Sequence, residues 1–262
     1  MHTYYMNSTM GSRRHVSCHH HLEERNYLNP YKCSGCKMNG IGQVYRCRDC
    51  DYVLGMECMF PSGKITPQFL QDNTFIFMEE PTPRKTRCSD PTCNKHDRYC
   101  DACGKAVHGF VYHCKETSFD LHPRCAVLET EFCIEGVNFR LNKKSKPRKC
   151  DWCRSKLVEG SDDKVPGWFY ESENKDYNYH VFCIMDMAIQ SCMSTSGGGE
   201  YSLALETLEL PSKIVKRRNG KDGGKYWKIL KVFISTVLSI IFGDPTAILA
   251  KLAVETVYQL LS

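Results

Sequence analysis

No run of about twenty apolar residues occurs in the sequence, so no segment reads as a transmembrane helix. The first residues, MHTYYMNSTMGSRRH, hold no apolar stretch of the kind that forms a secretory signal, which points to a cytoplasmic setting. A strand-helix-strand alternation and a Trp-Cys-x-x-Cys motif are both missing, and this argues against a thiol–disulfide oxidoreductase. A general excess of positive charge is missing too. Of the formal +5, the segment from Lys213 onward supplies +6, with nine Lys/Arg against three acids, so residues 1–212 carry −1. A near-neutral body removes the case for a protein that coats nucleic acid. Long apolar periodic runs are scarce before residue 184, which predicts several small modules with thin cores; units of that kind need metals or cross-links to fold.

What the chain has in quantity is cysteine. All 17 except Cys192 precede residue 184, in company with all ten histidines. An odd cysteine count mixed with histidine fits reduced thiols holding metal better than a disulfide framework.

Four C-x2-C pairs mark the body, at Cys33/Cys36, Cys47/Cys50, Cys100/Cys103 and Cys150/Cys153, and two H-x2-C pairs follow at His122/Cys125 and His180/Cys183. Between them lie short aromatic strands such as Gly109–His113 and Gly167–Tyr170. The pattern predicts small α+β zinc-stabilised modules in tandem over 15–65, 70–130 and 135–192, an imperfect internal repeat. A flexible basic linker over 193–224 and an amphipathic helical tail over 225–262 complete the organisation. The prolines of 61–99 suggest a linker or extended arm between the first two modules.

A C-x2-C turn brings two thiolates to one ion, and a later pair closes a tetrahedron. Cys100, Cys103, His122 and Cys125 make one complete set; Cys150, Cys153, His180 and Cys183 make a second in the same order. Zinc is the expected cofactor, and four protein ligands leave no position for an activated water, which disfavours a zinc hydrolase. In the first module His20, Cys33, Cys36, Cys47, Cys50 and Cys58 are candidate ligands. Tyr45, Phe110, Tyr112, Phe119, Trp168 and Phe169 are read as packing over the zinc turns in preference to stacking on bases.

The order His20, C-x2-C, strand, C-x2-C resembles the phorbol/diacylglycerol zinc domain of protein kinase C. The phrases Tyr31-Lys32-Cys33-Ser34-Gly35-Cys36, Gly109-Phe110-Val111-Tyr112-His113-Cys114 and Phe119-Asp120-Leu121-His122-Pro123-Arg124-Cys125 resemble its divergent plant version, the divergent C-one or cysteine/histidine-rich domain. The later stretches Gly167–Tyr170, Tyr179–Cys183 and Ile241–Ala247 resemble the VACUOLELESS GAMETOPHYTES-like family. The resemblance implies two interleaved zinc sites per full module. One would use the leading His20 with Cys47, Cys50 and a late ligand, and the other Cys33 and Cys36 with the closing pair. Gly55 stands where that family has the closing histidine, and Thr117 where it has a cysteine. The first module then has either two three-ligand sites or one four-thiolate site from Cys33, Cys36, Cys47 and Cys50. Cys88, Cys93 and His96 are either a repair of the second module's broken site or free residues of a loop.

In the tail, Ile229–Phe242 and Thr246–Leu261 read as two amphipathic helices separated by Gly243-Asp244-Pro245. They are expected to dock on an anionic membrane through residues 213–262, on a protein partner, on a second copy, or on the chain's own zinc body. Val215-Lys216-Arg217-Arg218 is a weak nuclear-localisation motif. The combined expectation is a non-enzymatic zinc-binding adaptor for protein partners, cytoplasmic or peripheral to endomembranes, with nuclear residence as the alternative. Its recognition loops would be Lys37–Gln43 and Lys156–Pro166. The rival readings are a diacylglycerol sensor, a thiol–disulfide oxidoreductase and a RING-type ubiquitin ligase.

Overall fold

A computed structural model of the chain describes residues 4–6, 20–81, 98–143, 148–161, 165–194 and 223–242. Within them, short strands form three antiparallel sheets of four, each in sequence order. The first sheet holds β1 (Tyr4–Met6), β2 (His20–Lys32), β3 (Asn39–Cys47) and β4 (Val53–Gly55), and the one-turn helix α1 (Met56–Met59) follows. The second holds β5 (Lys64–Ile65), β6 (Phe75–Met78), β7 (Val111–His113) and β8 (Asp120–Leu121), closed by a 3-10 turn, Pro123–Cys125. The third holds β9 (Glu131–Ile134), β10 (Val137–Asn142), β11 (Phe169–Ser172) and β12 (Asn178–His180), which runs into α2 (Val181–Ser194). A 20-residue helix, α3 (Gly223–Phe242), ends the described chain. Local chemistry sets the turns. β9 and β10 pair Ile134 with Val137 across Glu135-Gly136, whose φ values of 47° and 76° give the two-residue turn that matches strand twist.

The proline-bearing segment after residue 60 is more than a linker. Pro61 and Pro67 flank β5, and β5 and β6 form half of the second sheet. Phe69 and Phe75 from this segment are buried, and that apolar content outweighs the extended bias of the prolines. Lys37–Gln43, read as a recognition loop, is largely the start of β3, with Gly40 and Ile41 buried.

The first sheet has its own small core of Leu22, Val44, Tyr45 and Leu54 beside its thiols. The second and third sheets, α2 and α3 share one continuous core. This differs from the expectation of thin, separate modules: Trp168 of the third module packs edge-on to Phe69 and Phe119 of the second, and the shared core is extended by α3. Its Tyr226, Ile229, Leu230, Phe233, Ile234, Val237, Leu238 and Ile241 are all buried. The Phe233 ring lies 4.3 Å from Phe139 and 5.9 Å from both Tyr170 and Tyr179 between centroids. Tyr226 stacks on Tyr177 at 4.4 Å, and its hydroxyl lies 3.1 Å from that of Tyr179. Lys228 reaches Glu135 of the β9–β10 turn at 3.0 Å. Of the alternatives for this helix, the described contacts are those with the chain's own body. The second apolar stretch, Thr246–Leu261, and most of the linker, 195–222, lie outside the described residues. Among the described residues no helix is long and apolar enough to cross a membrane.

Candidate metal centres

Each sheet carries the same turn between its inner strands. The amide of Cys33 donates to Met38 O, that of Cys100 to Lys105 O and that of Cys150 to Ser155 O, at 2.8–2.9 Å. Back-bonds from Lys37, Gly104 and Arg154 to the same three cysteines' carbonyls close the loop. Those closing residues have φ of 64°, 70° and 62°. This left-handed step reverses the chain straight after the second cysteine, so both thiols of a C-x2-C pair serve one point.

The second half of each module follows one frame. Cys47, Cys114 and Ser172 each donate their amide to the carbonyl five residues on, at Tyr52, Phe119 and Tyr177. Eight residues on stand Gly55, His122 and His180, and eleven on stand Cys58, Cys125 and Cys183. The turn that opens this frame changes its chemistry from module to module. In the first it holds Cys47 and Cys50. In the second only Cys114 remains, and Thr117 Oγ1 accepts from the Phe119 amide at 3.3 Å. In the third Ser172 Oγ accepts from the Tyr177 amide at 3.0 Å, and Asn174 Oδ1 accepts from the Asp176 amide at 3.1 Å.

The two halves meet in three clusters, buried except for Cys153. Cys100, Cys103, His122 and Cys125 offer ligand atoms that all lie within 4.8 Å of one another, as do Cys150, Cys153, His180 and Cys183, and also Cys33, Cys36 and Cys58. The Cys103 Sγ to His122 Nδ1 distance is 3.3 Å, and His180 Nδ1 lies 3.5 Å from Cys153 Sγ and 3.6 Å from Cys183 Sγ. A tetrahedral ion with bonds of about 2.3 Å to sulfur and about 2.1 Å to nitrogen would hold such atoms about 3.6 Å apart. The donor geometry of both four-residue sets therefore fits a metal ion. His180 Nε2 lies 3.1 Å from Lys156 O, the outward contact that fixes ring orientation when Nδ1 faces an ion.

Protonation says the same. Hydrogen bonds from Cys36 and Cys58 hold the Cys33 thiol far below its usual range, while donating to Cys33 pushes Cys36 up to about 12. At Cys153, hydrogen bonds from Cys150 and Cys183 lower the pKa, and the same contacts raise that of Cys183. Burial disfavours the Cys103 thiolate, yet hydrogen bonds from Cys100 and Cys125 carry it below the usual range, and Cys125 is raised in return. In each cluster the sulfurs share protons because several negative charges cannot sit together uncompensated. A bound cation removes that conflict and lets every thiolate form.

The remaining sequence candidates fall elsewhere. Cys47 is buried and Cys50 half-buried, but neither joins Cys33 and Cys36, whose third sulfur is Cys58. His20 lies on β2 with its side chain outside the described residues, as are Cys88, Cys93 and His96. Tyr45, Tyr112, Trp168 and Phe169 are buried, and Phe119 packs edge-on to Trp168 at 6.3 Å, as expected for rings that serve the core.

Sequence reasoning missed a second repeat. The residue after each leading cysteine pairs twice with the residue two before the histidine position. Ser34 pairs with Val53, Asp101 with Asp120 and Asp151 with Asn178, each by a backbone bond one way and a side-chain acceptor the other. The recurring Cys-Asp of the later two modules was the available signal. Modules also join by one rule. Phe110 N donates to Gly35 O and Trp168 N to Ala102 O, so the carbonyl inside one C-x2-C turn takes the amide four residues before the next module's frame. Comparison of the chain with family models, characterised proteins and solved structures gives no match.

Proposed function

We propose that the chain is a non-enzymatic zinc-binding protein whose tandem cysteine/histidine-rich modules present a rigid surface to protein partners. The observation that carries this reading is the pair of closed donor sets, each of three sulfurs and one imidazole nitrogen within 4.8 Å. That donor set suits zinc, and a site filled by four protein ligands has no place for a reactive water. When bound, zinc supplies folding energy and no reaction. The chain's residues do the rest: the left-handed turns aim the thiols, Lys156 O orients His180, and the burial of His122 and Cys103 excludes water from the second module's site.

A protein partner is favoured over a lipid because the start of β3 is covered by the second module, with Arg124 on Asn39 O at 2.6 Å. The turn after Cys153 is the more accessible recognition element, with Arg154, Ser155, Lys156, Glu159 and Gly160 exposed. The apolar face of α3 lies against the third sheet, which leaves Lys225 and Lys231 outward and withdraws that helix from a bilayer. Donor sets built on thiolates suit a reducing compartment, and a cytoplasmic setting belongs to this reading.

Native mass spectrometry of the full chain tests the zinc reading. The expected result is at least two tightly held zinc ions whose removal by a chelator strongly destabilises the fold. A chain that folds equally well without metal, or that reduces insulin disulfides when metal-free and folded, overturns it.

A further inference from the structure

The first cluster has three sulfurs and lacks the imidazole of the other two, and the chain's own repeat shows what replaced it. Gly55 occupies the position of His122 and His180, three residues before the closing cysteine. Its backbone, at φ −70° and ψ 164°, is extended like that of His122 at −58° and 146°, so the chain path would accept a histidine. The space would not. A Cβ on Gly55 would sit 2.9 Å from Arg124 Nη2 and 2.9 Å from the Tyr31 hydroxyl, and one on Gly40 would sit 2.6 Å from the same guanidinium nitrogen.

Arg124 comes from the second module, one residue before Cys125, and is 2% exposed. Its Nη1 donates to Asn39 O at 2.6 Å and its Nη2 to the Tyr31 hydroxyl at 3.1 Å. At the same frame position the third module has Phe182, whose ring faces Lys105 of the second module at 4.1 Å. The residue that projects onto the preceding module is therefore apolar where that module has its imidazole, and cationic where it lacks one. A buried guanidinium keeps its charge and needs negative charge around it. The groups around Arg124 able to carry negative charge are Glu57, 4.0 Å from Nε, and the sulfurs of Cys36 and Cys58 once a cation has displaced their protons.

We infer that Cys33, Cys36 and Cys58 hold a thiophilic divalent ion through three thiolates alone, and that Arg124 is the counter-ion of this anionic complex. Three thiolates and a dication sum to one negative charge, the smallest that a trithiolate with one such ion places beside the guanidinium that also faces Glu57; a monovalent ion would double it. The sulfurs are 0–2% exposed, so bulk water does not reach the ion from the surface. Because Arg124 adjoins Cys125, the first site's affinity depends on the second site being folded. This rests on the metal-binding reading above, at a cluster which that reading does not need.

Cadmium, added as the divalent ion to the full metal-free chain and followed by cadmium NMR and competition titration, tests the inference. The expected result is three bound ions, two with sulfur-and-imidazole signatures and a third with a three-thiolate signature. Arg124→Met should weaken the third by about 100-fold and leave the other two in place, while Arg124→Lys should restore most of the affinity. Gly55→His combined with Arg124→Ala should convert the third signal to the imidazole-bearing kind. A third ion with a fourth thiolate or an imidazole in the unmodified chain, only two ions in a folded chain, or unchanged affinity in Arg124→Met overturns the inference. Should Arg124→Met fail to fold, the double substitution decides, and an unconverted third signal counts against it. Loss of the two imidazole-bearing signals instead refutes the zinc reading, since the third signal is observed separately.

Discussion

Asp151 and Asn178 hold each other twice: the Asp151 amide donates to Asn178 O at 2.7 Å, and the Asn178 amide donates to Asp151 Oδ2 at 2.9 Å. Asp101 and Asp120 repeat the arrangement at 2.8 Å in both directions, and Ser34 and Val53 repeat it with a hydroxyl as acceptor. The pair ties the leading thiols to the strand that delivers the closing ligands. Asp151→Ala should cost about 1.5–3 kcal/mol in the metal-loaded chain, the range for a hydrogen bond to a charged group. Denaturant unfolding measures it, and an unchanged midpoint would show that the pair merely accompanies the metal site.

Exposure ranks the two complete sites. All four ligands of the second module's site are buried, whereas Cys153 of the third module's is exposed. A competing chelator should therefore strip the third site first, giving two kinetic phases in a zinc-release assay with a coloured indicator. Cys153→Ser should remove the faster phase alone.

Zinc uptake at the third site should release protons at neutral pH. Burial works against the charged form of His180, but hydrogen bonds to the Cys150 and Cys153 sulfurs outweigh it and push its pKa up to about 10 in the metal-free fold. The imidazolium is thus a stabilising element of that fold below its ordinary value and is lost as pH rises through about 10. Zinc needs the neutral ring, so binding at pH 7 expels that proton together with the one held by Cys183, whose pKa is also raised. Affinity should climb as pH is raised above 7, and a weakly buffered titration with a pH dye should register acid release. A pH-independent affinity between 6 and 9 would contradict it.

Phe233→Ala should cost about 3–5 kcal/mol, because the ring is fully buried against Phe139, Tyr170 and Tyr179. Hydrogen exchange should then show α3 opening from the third sheet while the first sheet keeps its protection. Binding of the variant, but not of the unmodified chain, to anionic liposomes would show that the helix reaches lipid only when undocked.

Much of the metal chemistry could be read from the sequence, because two thiolates reach one ion only from a tight turn, and the spacing of Cys100/Cys103 and Cys150/Cys153 records that turn directly. The grouping of Cys33 and Cys36 with Cys58 follows from the eleven-residue frame, which survives the loss of the histidine at Gly55. The direction of α3 was not legible: an apolar stripe fixes which face is buried and says nothing of what covers it, and the rings of Phe139 and Tyr177 stand 94 and 49 residues before the Phe233 and Tyr226 they stack on. Arg124 was hidden for a related reason. Between His122 and Cys125 it reads as a solvated charge, and only the cavity left by Gly40 and Gly55, far away in sequence, shows where it goes. The strands β5 and β6 were obscured by Pro61 and Pro67, whose local bias toward extended chain is satisfied equally by a linker and by the edge of a sheet.

The turn that opens each module's second half passes from two cysteines at Cys47 and Cys50, through the single Cys114, to the hydrogen-bonded Ser172 and Asn174. In the third module the turn is closed by a hydroxyl and an amide, so its geometry is indifferent to oxidation, whereas in the first it is carried on two sulfurs that an oxidant can change.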